Sequence, residues 1–333
     1  MNETPPVVWV LVDGRAGNRS QCFGVADVLG FPYVIKEIRY SWLGNLPNTL
    51  LWASFAGLTA DSRRDLAPPW PDMVIGASRR VAPVARRIKN LSGGRTFAVQ
   101  IMDPGILGRG AFDLVCVPRH DLLPERANVL SITGAPHPIR PGKLAQAATI
   151  WREKFAHLPK PWFALLVGGE AKGRALGAEL MADLGRRASA LAKGAGGSLL
   201  VTSSRRTAPE EMDALVPALS APAYVHRWDR GGENPYVGYL ALANAVIVTG
   251  ESMSMCSEAC ATTGPVYIYA RDDFITPKYA RLHAELYARG LARPLMGTSA
   301  FEPWTHAPLN AADDIAAEIH KRLAARQSRH APA

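Results

Sequence analysis

Two glycines followed by two cations form the part of this sequence best suited to hold a phosphate group. Gly168 and Gly169 come directly after an apolar run, and Lys172 and Arg174 follow within the same turn. The N–H groups of a glycine turn can surround an anion, and the two cations would neutralise a diphosphate. The turn lacks the full G-x-x-x-x-G-K-[ST] pattern, which argues against a P-loop nucleotide hydrolase.

Two hydroxyl-rich turns in the same half of the chain offer similar chemistry. One follows an apolar run and contains Ser203 and Arg205, whose hydroxyl and guanidinium groups can both contact phosphate. The other begins a predicted helix with Ser252 and Ser254, where side-chain hydroxyls and backbone N–H groups can hold an anion. Glu258, farther along that helix, could accept hydrogen bonds from ribose hydroxyls; the alternative is a solvated helix residue.

The turn Asp13–Asn18 in the first half of the chain has a different composition. Gly14 and Gly17 permit close approach of a ligand, and the helix that follows favours negative charge at its start. The turn is not the G-x-G-x-x-G fingerprint of dinucleotide-binding proteins, so a nicotinamide cofactor is disfavoured. A plain connection between a strand and a helix explains these residues equally well.

A serine nucleophile is a minor alternative use of Gly250-x-Ser252, because α/β-hydrolases place their serine on a strand-to-helix turn. The second glycine of that motif is missing. A catalytic triad would also need an acid and a histidine downstream, and no motif surrounds Asp272, His283 or His306.

Length and composition predict a folded protein of two domains. The chain has 333 residues, 48% hydrophobic and 20% charged, and single cores rarely grow beyond about 250–300 residues. The 38 Lys and Arg against 29 Asp and Glu give a net charge of +9, which attracts polyanions such as phosphorylated small molecules or anionic lipid. Nucleic acid is not expected as a partner, because no long basic run and no aromatic-interleaved basic stretch occurs.

The four cysteines show no CxxC spacing, which predicts reduced thiols. Cys256 and Cys260 would share a helix face, but no neighbouring His or second Cys pair completes a metal site. We interpret them as small buried apolar residues, and no metal site is predicted.

Short apolar runs alternate with helical segments along the whole chain, a pattern typical of parallel sheets with crossover helices. Their near-continuous Val, Ile and Leu content predicts strands that are covered on both faces. The predicted strands are Val7–Val12, Tyr33–Ile38, Met73–Ile75, Phe97–Ile101, Leu114–Val117, Val129–Ile132, Trp162–Val167, Ser198–Thr202, Tyr224–His226, Ala245–Thr249 and Val266–Tyr269.

A stretch that ends in prolines divides these runs into two sets. Residues 141–161 are predicted to form a helix that is interrupted near Pro159, which places the domain boundary there. The predicted parts are an N-terminal domain at 1–158, a second domain at 159–308, and a C-terminal helix and tail at 309–333. Within the last part, Ala311–Leu323 is amphipathic, and Gln327–Ala333 is expected to fray.

The segment Trp42–Leu58 is apolar, with two tryptophans and no charged residue. Pro47 interrupts it, and no window of about 18 uninterrupted apolar residues occurs, so no membrane span is predicted. We interpret the segment as a buried helix and loop; the alternative is a patch that docks on an anionic membrane surface. The N-terminus has no secretory signal pattern, which predicts a cytoplasmic protein, with peripheral attachment to the inner membrane as the alternative.

Several short motifs together resemble the bacterial relatives of the plant mitochondrial-fission "elongated mitochondria" proteins. The resemblance covers most of the chain and is most specific from Asn234-Pro235-Tyr236 into Thr249–Ala259. That stretch is also similar to the donor-binding helix of the peptidoglycan N-acetylglucosaminyltransferase. The remaining motifs are Asp13-Gly14-x-x-Gly17-Asn18 with Gln21 and Gly24, Asp103-Pro104, Pro118-x-His120-Asp121, Gly134-x-x-His137 and Gly168-Gly169.

The resemblance implies a GT-B-like α/β fold, with two Rossmann-like parallel-sheet domains that face an interdomain cleft. It implies that the second domain binds a nucleotide-diphosphate sugar, a UDP-sugar, and that the first domain faces the acceptor through a loop containing Gly14, Gly17, Asn18 and Gln21. The donor residues implied are Gly168, Gly169, Lys172, Arg174, Ser203, Arg205, Ser252, Ser254 and Glu258. Two positions depart from the family pattern, in which Asp is more usual than Glu251 and Arg more usual than Gly105.

The implied activity is that of a metal-independent glycosyltransferase of the hexosyltransferase class. No cofactor is expected beyond the nucleotide sugar. The acceptor is not identified, and a lipid-linked or envelope glycan is one candidate. An inverting enzyme would need a base in the first domain, for which Asp13, His120 with Asp121, and His137 are candidates. For each of them, a hydrogen-bonded loop residue is the alternative. The second hypothesis is a GT-B-like pseudoenzyme that acts as a membrane-associated scaffold or recruitment protein.

The family is sometimes labelled nucleotide-sugar epimerase, and the sequence argues against this label. Short-chain epimerases need a glycine turn after the first strand and a Tyr-x-x-x-Lys couple. The glycine turn is absent, and no tyrosine has a lysine four residues later.

Overall fold

A computed structural model describes residues 5–170, 173 and 175–330 of the chain. Lys172 and Arg174, the two cations predicted to bind phosphate, lie outside the described residues. The chain forms two compact units. The first unit comprises Met1–Pro138 together with Ala311–Ala333, and the second unit comprises Ile139–Asn310.

The first unit is built around a parallel six-stranded sheet of order β2-β1-β3-β4-β5-β6. Its strands are β1 (Val8–Val12), β2 (Tyr33–Glu37), β3 (Met73–Ala77), β4 (Phe97–Ile101), β5 (Leu114–Pro118) and β6 (Val129–Ile132), and its first helices are α1 (Ala16–Leu29), α2 (Asn48–Leu51), α3 (Ala60–Asp65) and α4 (Ala82–Leu91). Alternate residues of β1 enter different cores, because successive side chains point to opposite faces of a sheet. Val8 and Val10 join the core that includes α1, whereas Trp9 and Leu11 join the core that includes α4.

The second unit contains another parallel six-stranded sheet, of order β12-β11-β10-β7-β8-β9. Its strands are β7 (Trp162–Val167), β8 (Ser198–Ser203), β9 (Ala223–His226), β10 (Ala245–Thr249), β11 (Val266–Tyr269) and β12 (Arg293–Pro294), and its helices are α5 (Pro141–Phe155), α6 (Gly177–Gly194), α7 (Pro209–Leu215), α8 (Tyr236–Leu242), α9 (Met253–Ala259) and α10 (Pro277–Ala288). One face packs against Trp151 and Phe155 of α5, and the other packs against Met181 and Leu184 of α6. Helices therefore cover both faces of each sheet, as an α/β fold requires.

All eleven predicted strands are present, each within two residues of its predicted ends. The sequence missed β12, which is only two residues long and contains a proline. Burial on both faces is wrong for the strands β2, β6 and β9, whose residues are mostly half-buried or exposed. Val34 and Ile35 of β2 are 48% and 40% exposed, because β2 is the outermost strand of its sheet.

The division between the two units comes earlier than the predicted boundary after residue 158. The predicted linker helix is α5, and it belongs to the second unit. Its Trp151 ring lies so close to α8 that a Cβ atom on Gly238 would be 2.4 Å from it. The helix is thus part of the second core rather than a connection between domains.

The C-terminal helix, α11, runs over Ala311–His330 and belongs to the first unit rather than to a separate part. Ile315 and Ile319 enter the core that contains α1. The predicted fraying from Gln327 is not seen up to residue 330. Two arginines hold the last turns, because Arg322 donates to the Asp113 and Ala127 carbonyls and Arg326 donates to those of Gly94 and Arg95.

The interpretation of Trp42–Leu58 as a buried segment is wrong for three of its largest side chains. Trp42 is 77% exposed, Leu50 is 70% exposed and Trp52 is 52% exposed, while Leu51 and Leu58 are buried. A short 3-10 helix (Trp42–Asn45) and α2 form the segment, and one turn of helix can bury only one side.

The four cysteines are buried and unbridged, as predicted. Burial raises the pKa of all four thiols, that of Cys260 to about 12, so they remain protonated and behave as apolar groups. Across the part of the chain that is described, no helix is both long and apolar enough to cross a membrane.

Candidate functional site

Each sheet has one point at which the chain leaves two neighbouring strands in opposite directions. In the second unit this point lies between β7 and β10, because β7 connects to β8 on one side and β10 connects to β11 on the other. In the first unit it lies between β1 and β3. Ligands of open parallel sheets bind outside the carboxyl ends of the strands at such topological switch points.

The switch point of the second unit contains the predicted glycine pair. The Gly168 N–H donates to Thr249 Oγ1 at 2.8 Å, and the Gly169 N–H donates to Glu251 Oε1 at 2.9 Å. A Cβ atom on Gly168 would be 1.7 Å from Glu251 Oε1, and one on Gly169 would be 2.1 Å from the Arg206 carbonyl oxygen. The glycines are therefore required by protein groups packed against them, and both N–H groups already have protein acceptors.

Glu251 is the residue at this switch point that the sequence did not identify as a site residue. It is 4% exposed, and its Oε2 atom has no hydrogen-bond partner among the described residues. Burial raises the pKa of the Glu251 carboxyl, opposed by hydrogen bonds from Thr249 and the Gly169 N–H and by the charge of Arg206. A buried acceptor of this kind can receive a hydrogen bond from a ligand hydroxyl.

The turn after β8 contacts the same glycines, although mainly through residues other than those predicted. Ser203 Oγ accepts a hydrogen bond from the Trp228 N–H at 2.8 Å, so it holds the chain after β9. Arg205 is exposed. Arg206 lies nearer the site, because its Nη1 donates to the Glu170 carbonyl at 2.8 Å and its own carbonyl accepts from the Glu170 N–H.

The predicted donor helix is α9, and Ser252 precedes it with extended backbone. The Ser252 side chain makes no capping hydrogen bond, so the predicted hydroxyl cap is absent. Glu258 Oε2 accepts a hydrogen bond from the Tyr236 hydroxyl at 2.6 Å. Burial and the Glu258 carboxylate raise the pKa of Tyr236. The structure thus brings together the motifs Asn234-Pro235-Tyr236 and Thr249–Ala259, which are separate in sequence.

Helix α10 adds two residues beside this switch point. His283 Nε2 lies 2.8 Å from the Gly250 carbonyl oxygen, and burial lowers the pKa of this histidine, which favours the neutral ring. Burial raises the pKa of Tyr279, with the charge of Arg206 opposing this rise and that of Glu251 adding to it. The position of His283 gives no support to the hydrolase alternative, because its ring contacts a carbonyl and Ser252 has ordinary negative φ rather than the strained turn of a nucleophile elbow.

The switch point of the first unit is closed by Asp13. Its carboxylate accepts hydrogen bonds from the Arg15 N–H at 3.1 Å and from Asn18 Nδ2 at 3.0 and 3.1 Å. Opposite it, Ser78 follows β3 with a φ of +82°, and its hydroxyl has no partner among the residues described. Of the other predicted loop residues, Gly14 and Gly17 are exposed, whereas Asn18 and Gln21 are buried.

The two histidines predicted as bases are both deeply buried. His120 follows β5 and is 2% exposed, with Asp121 at 3.9 Å. His137 is 1% exposed, and its backbone packs so closely on α1 that a Cβ atom on Gly24 would be 2.6 Å from it. A general base must reach the hydroxyl that it deprotonates, and the role of either histidine as a base stays a prediction.

The missing arginine after Asp103-Pro104 is replaced by one farther along the chain. Arg109 donates from Nε and Nη2 to the two carboxylate oxygens of Asp103 at 2.7 and 2.8 Å. This pair lowers the pKa of Asp103. Asp103 therefore has an arginine partner even though glycine stands at position 105, where the family pattern has arginine.

The family that the motifs suggested is confirmed by comparison with known proteins. The family model described as mitochondrial fission ELM1 matches residues 16–323. The chain belongs to this family. The mitochondrial fission protein ELM1 of Arabidopsis thaliana is 31% identical over 303 residues, which cover 84% of this ELM1-family chain and 70% of the plant protein.

Solved structures share the fold of this ELM1-family protein at low sequence identity. A UDP-GlcNAc 2-epimerase from Methanocaldococcus jannaschii aligns with a TM-score of 0.53 and 12% identity, covering 95% of this chain and 99% of its own. A UDP-glucosyltransferase from Polygonum tinctorium aligns with a TM-score of 0.53 and 12% identity, covering 96% and 90%. The fold is thus GT-B-like, as predicted, with two Rossmann-like sheets.

The first of these structures corrects the argument against an epimerase. The absent Tyr-x-x-x-Lys couple excludes only the short-chain type of epimerase. An enzyme named UDP-GlcNAc 2-epimerase has the same fold as this chain, so the sequence motifs do not separate epimerase from transferase.

Proposed function

We propose that this protein is a metal-independent glycosyltransferase whose donor is a nucleotide-diphosphate sugar, specifically a UDP-sugar. The observation that carries the proposal is the convergence of Gly168, Gly169 and Glu251 at the switch point of the second unit. The buried Oε2 atom of Glu251 is an acceptor that a sugar hydroxyl would satisfy. The proposal is supported by the fold, which enzymes acting on UDP-sugars also have.

The residues around this switch point divide into two roles in the proposal. Glu258, oriented by Tyr236, would accept hydrogen bonds from the ribose hydroxyls. The diphosphate would be held by hydroxyls and cations: Ser252, Ser254, Lys172, Arg174, Arg205 and, in addition, Arg206. Because the N–H groups of Gly168 and Gly169 have protein acceptors, we assign these glycines to the shape of the turn and not to phosphate contact.

The proposed reaction transfers the sugar in one displacement. The oxygen of an acceptor hydroxyl forms a bond to the anomeric carbon, and the bond from that carbon to the diphosphate oxygen breaks. The diphosphate leaves with the electron pair, and nearby cations stabilise its charge. A base takes the hydroxyl proton, and we propose Asp13 for this role, because it follows β1 at the switch point of the first unit.

Isothermal titration against UDP, GDP, CMP and their sugars tests the donor class. We expect saturable binding of UDP and UDP-sugars, with weaker binding of the other nucleotides. The distinction from an epimerase needs no acceptor: incubation with UDP-GlcNAc alone, followed by NMR, should leave the sugar unchanged. Conversion of UDP-GlcNAc to its 2-epimer would show that the protein is an epimerase and not a transferase, and it would leave the proposed nucleotide-sugar site unchanged.

A non-catalytic scaffold is the second candidate, and one observation favours it. The backbone N–H groups predicted to bind phosphate donate instead to Thr249 and Glu251, so the turn is complete without a ligand. The same titration separates the candidates. A folded protein that binds none of the nucleotides or nucleotide sugars would favour the scaffold.

A further inference from the structure

The first unit exposes a group of large apolar side chains that come from two segments far apart in sequence. We call this group the Trp42 surface; its members are Trp42, Leu46, Leu50, Trp52, Ile106 and Leu107. Ile106 and Leu107 are 72% and 66% exposed and begin the 3-10 helix Ile106–Ala111. Seven large apolar side chains among the described residues are more than half exposed, and five of them belong to this surface.

The two segments of the Trp42 surface are in direct contact. Asn48 Nδ2 donates to the Pro104 carbonyl at 3.2 Å and to the Arg79 carbonyl at 2.7 Å. The segments also share a mainly apolar cavity of about 200 Å³, lined by Trp52, Ile106 and Leu107 among others. A continuous exposed apolar patch on a folded protein marks a place where a partner or a membrane binds.

The segments that form and support this surface are rich in basic residues. Residues 39–60, 78–92 and 104–112 contain seven Lys or Arg residues and no Asp or Glu. Three of the seven pair with carboxylates just outside these ranges, Arg39 with Glu37, Lys89 with Asp113 and Arg109 with Asp103, and the other four are Arg79, Arg80, Arg86 and Arg87. The guanidinium group of Arg80 lies 4.1 Å from the ring centre of Tyr40. That of Arg86 lies 4.9 Å from the ring centre of Trp52 and is buried, at 3% exposure. Arg80 also contacts Asn45 at 3.4 Å, so basic groups lie directly beside the apolar ones.

We propose that the Trp42 surface docks the protein on an anionic phospholipid bilayer. Tryptophan and leucine side chains insert at the boundary of headgroups and acyl chains, and nearby arginines attract anionic headgroups. A second copy of the chain is a poor occupant, because it would place Arg79 and Arg80 of the two copies against each other. The inference concerns the first unit and does not depend on nucleotide binding by the second.

Vesicle co-sedimentation of the full chain tests this docking. We expect binding to vesicles of equal parts phosphatidylglycerol and phosphatidylcholine, and much weaker binding to phosphatidylcholine alone. Raising the salt from about 50 mM to about 500 mM should weaken the binding, because salt screens the arginine contacts. Absence of binding to the anionic vesicles at low salt would overturn the proposal.

Matched variants locate the surface. Trp42→Ser with Ile106→Ser removes one exposed side chain from each segment and should raise the lipid concentration needed for half-binding by about tenfold or more. Arg79→Gln with Arg80→Gln should raise it by about five- to tenfold. The controls are Ile150→Ser, which is 56% exposed in the second unit, and Arg152→Gln with Lys193→Gln, which removes the same charge elsewhere.

The controls should change vesicle binding by less than about twofold. If the controls lose as much vesicle binding as the surface variants, the binding depends on general charge and hydrophobicity and not on the Trp42 surface. Light scattering measures the oligomeric state and so tests a second copy as the occupant. A wild-type dimer that dissociates in the variant Trp42→Ser with Ile106→Ser would assign the surface to a second copy and contradict lipid docking. All substituted positions are exposed except Arg80, which is half-buried, and unchanged circular dichroism will confirm that the variants fold.

Discussion

The two switch points of this protein are closed by contacts of different range. In the first unit, the Asp13 carboxylate accepts hydrogen bonds from groups two and five residues along the chain. In the second, Gly168 and Gly169 donate to side chains 81 and 82 residues away. The first turn is thus a local helix start that tolerates change at its exposed glycines. The second is a junction of three strand ends, which a change in any one of them disturbs.

The largest effect that distinguishes the two turns is expected from glycine-to-alanine substitutions. Gly168→Ala places a Cβ atom 1.7 Å from Glu251 Oε1, whereas a Cβ atom on Gly14 meets nothing within 4 Å. We expect Gly168→Ala to destabilise the protein by about 3 kcal/mol and Gly14→Ala by less than about 0.5 kcal/mol. Urea unfolding measures both, and equal midpoints would break the comparison.

The next effect is a pH dependence that only the second switch point should show. Burial raises the pKa of Glu251, so its contribution to stability is complete below the pKa of an unfolded glutamate and is lost as pH rises through the higher folded value. Glu251→Gln keeps an acceptor for the Gly169 N–H and removes the ionisation. The variant should therefore gain stability relative to wild type as pH rises through this window.

Thermal unfolding of both proteins from acid to neutral pH measures this difference. Glu210→Gln, at an exposed position of α7, provides the control and should follow wild type at every pH. If the difference in thermal stability between wild type and Glu251→Gln is constant across the pH range, burial does not raise the pKa of Glu251, and the explanation is wrong.

The smallest effect separates two adjacent arginines. Both arginines are exposed, and Arg206 donates to the Glu170 carbonyl beside the glycine turn. Because the Arg206 contact is itself at the surface, we expect Arg206→Gln to cost roughly 0.5 kcal/mol and Arg205→Gln to cost nothing measurable. A larger loss for Arg205→Gln in thermal unfolding would show that the turn is held differently.

The sequence predicted the sheets well because buried parallel strands are short continuous apolar runs, which need no knowledge of their partners. It could not predict the hydrogen bond between the Gly169 N–H and Glu251, because nothing near either residue indicates a contact across 82 positions. The strand β12 has too few residues to form a pattern. The amphipathic pattern of α11 predicted a helix, but such a pattern does not identify the core on which the helix packs.

The Trp42–Leu58 segment shows a related limit of sequence reasoning. Hydropathy measures the preference of a side chain for leaving water and does not say whether the fold provides a place for it. Leu51 and Leu58 find such a place, and Trp42 and Leu50 do not. The candidate site shows the opposite case, in which a polar residue is buried and hydropathy does not reveal it. Glycine and serine motifs located the switch point, while its buried carboxylate, Glu251, is identified only by the packing.

The most direct test of the donor site is a titration of UDP into three proteins: wild type, Glu258→Ala in the second unit and Asp13→Asn in the first. Loss of a hydrogen bond to a charged group costs about 1.5–3 kcal/mol, so we expect Glu258→Ala to weaken UDP binding roughly 10- to 100-fold. Asp13→Asn should leave the affinity unchanged. Wild-type protein that binds no UDP, or affinity that falls with Asp13→Asn and not with Glu258→Ala, would contradict the assignment of the donor to the switch point between β7 and β10.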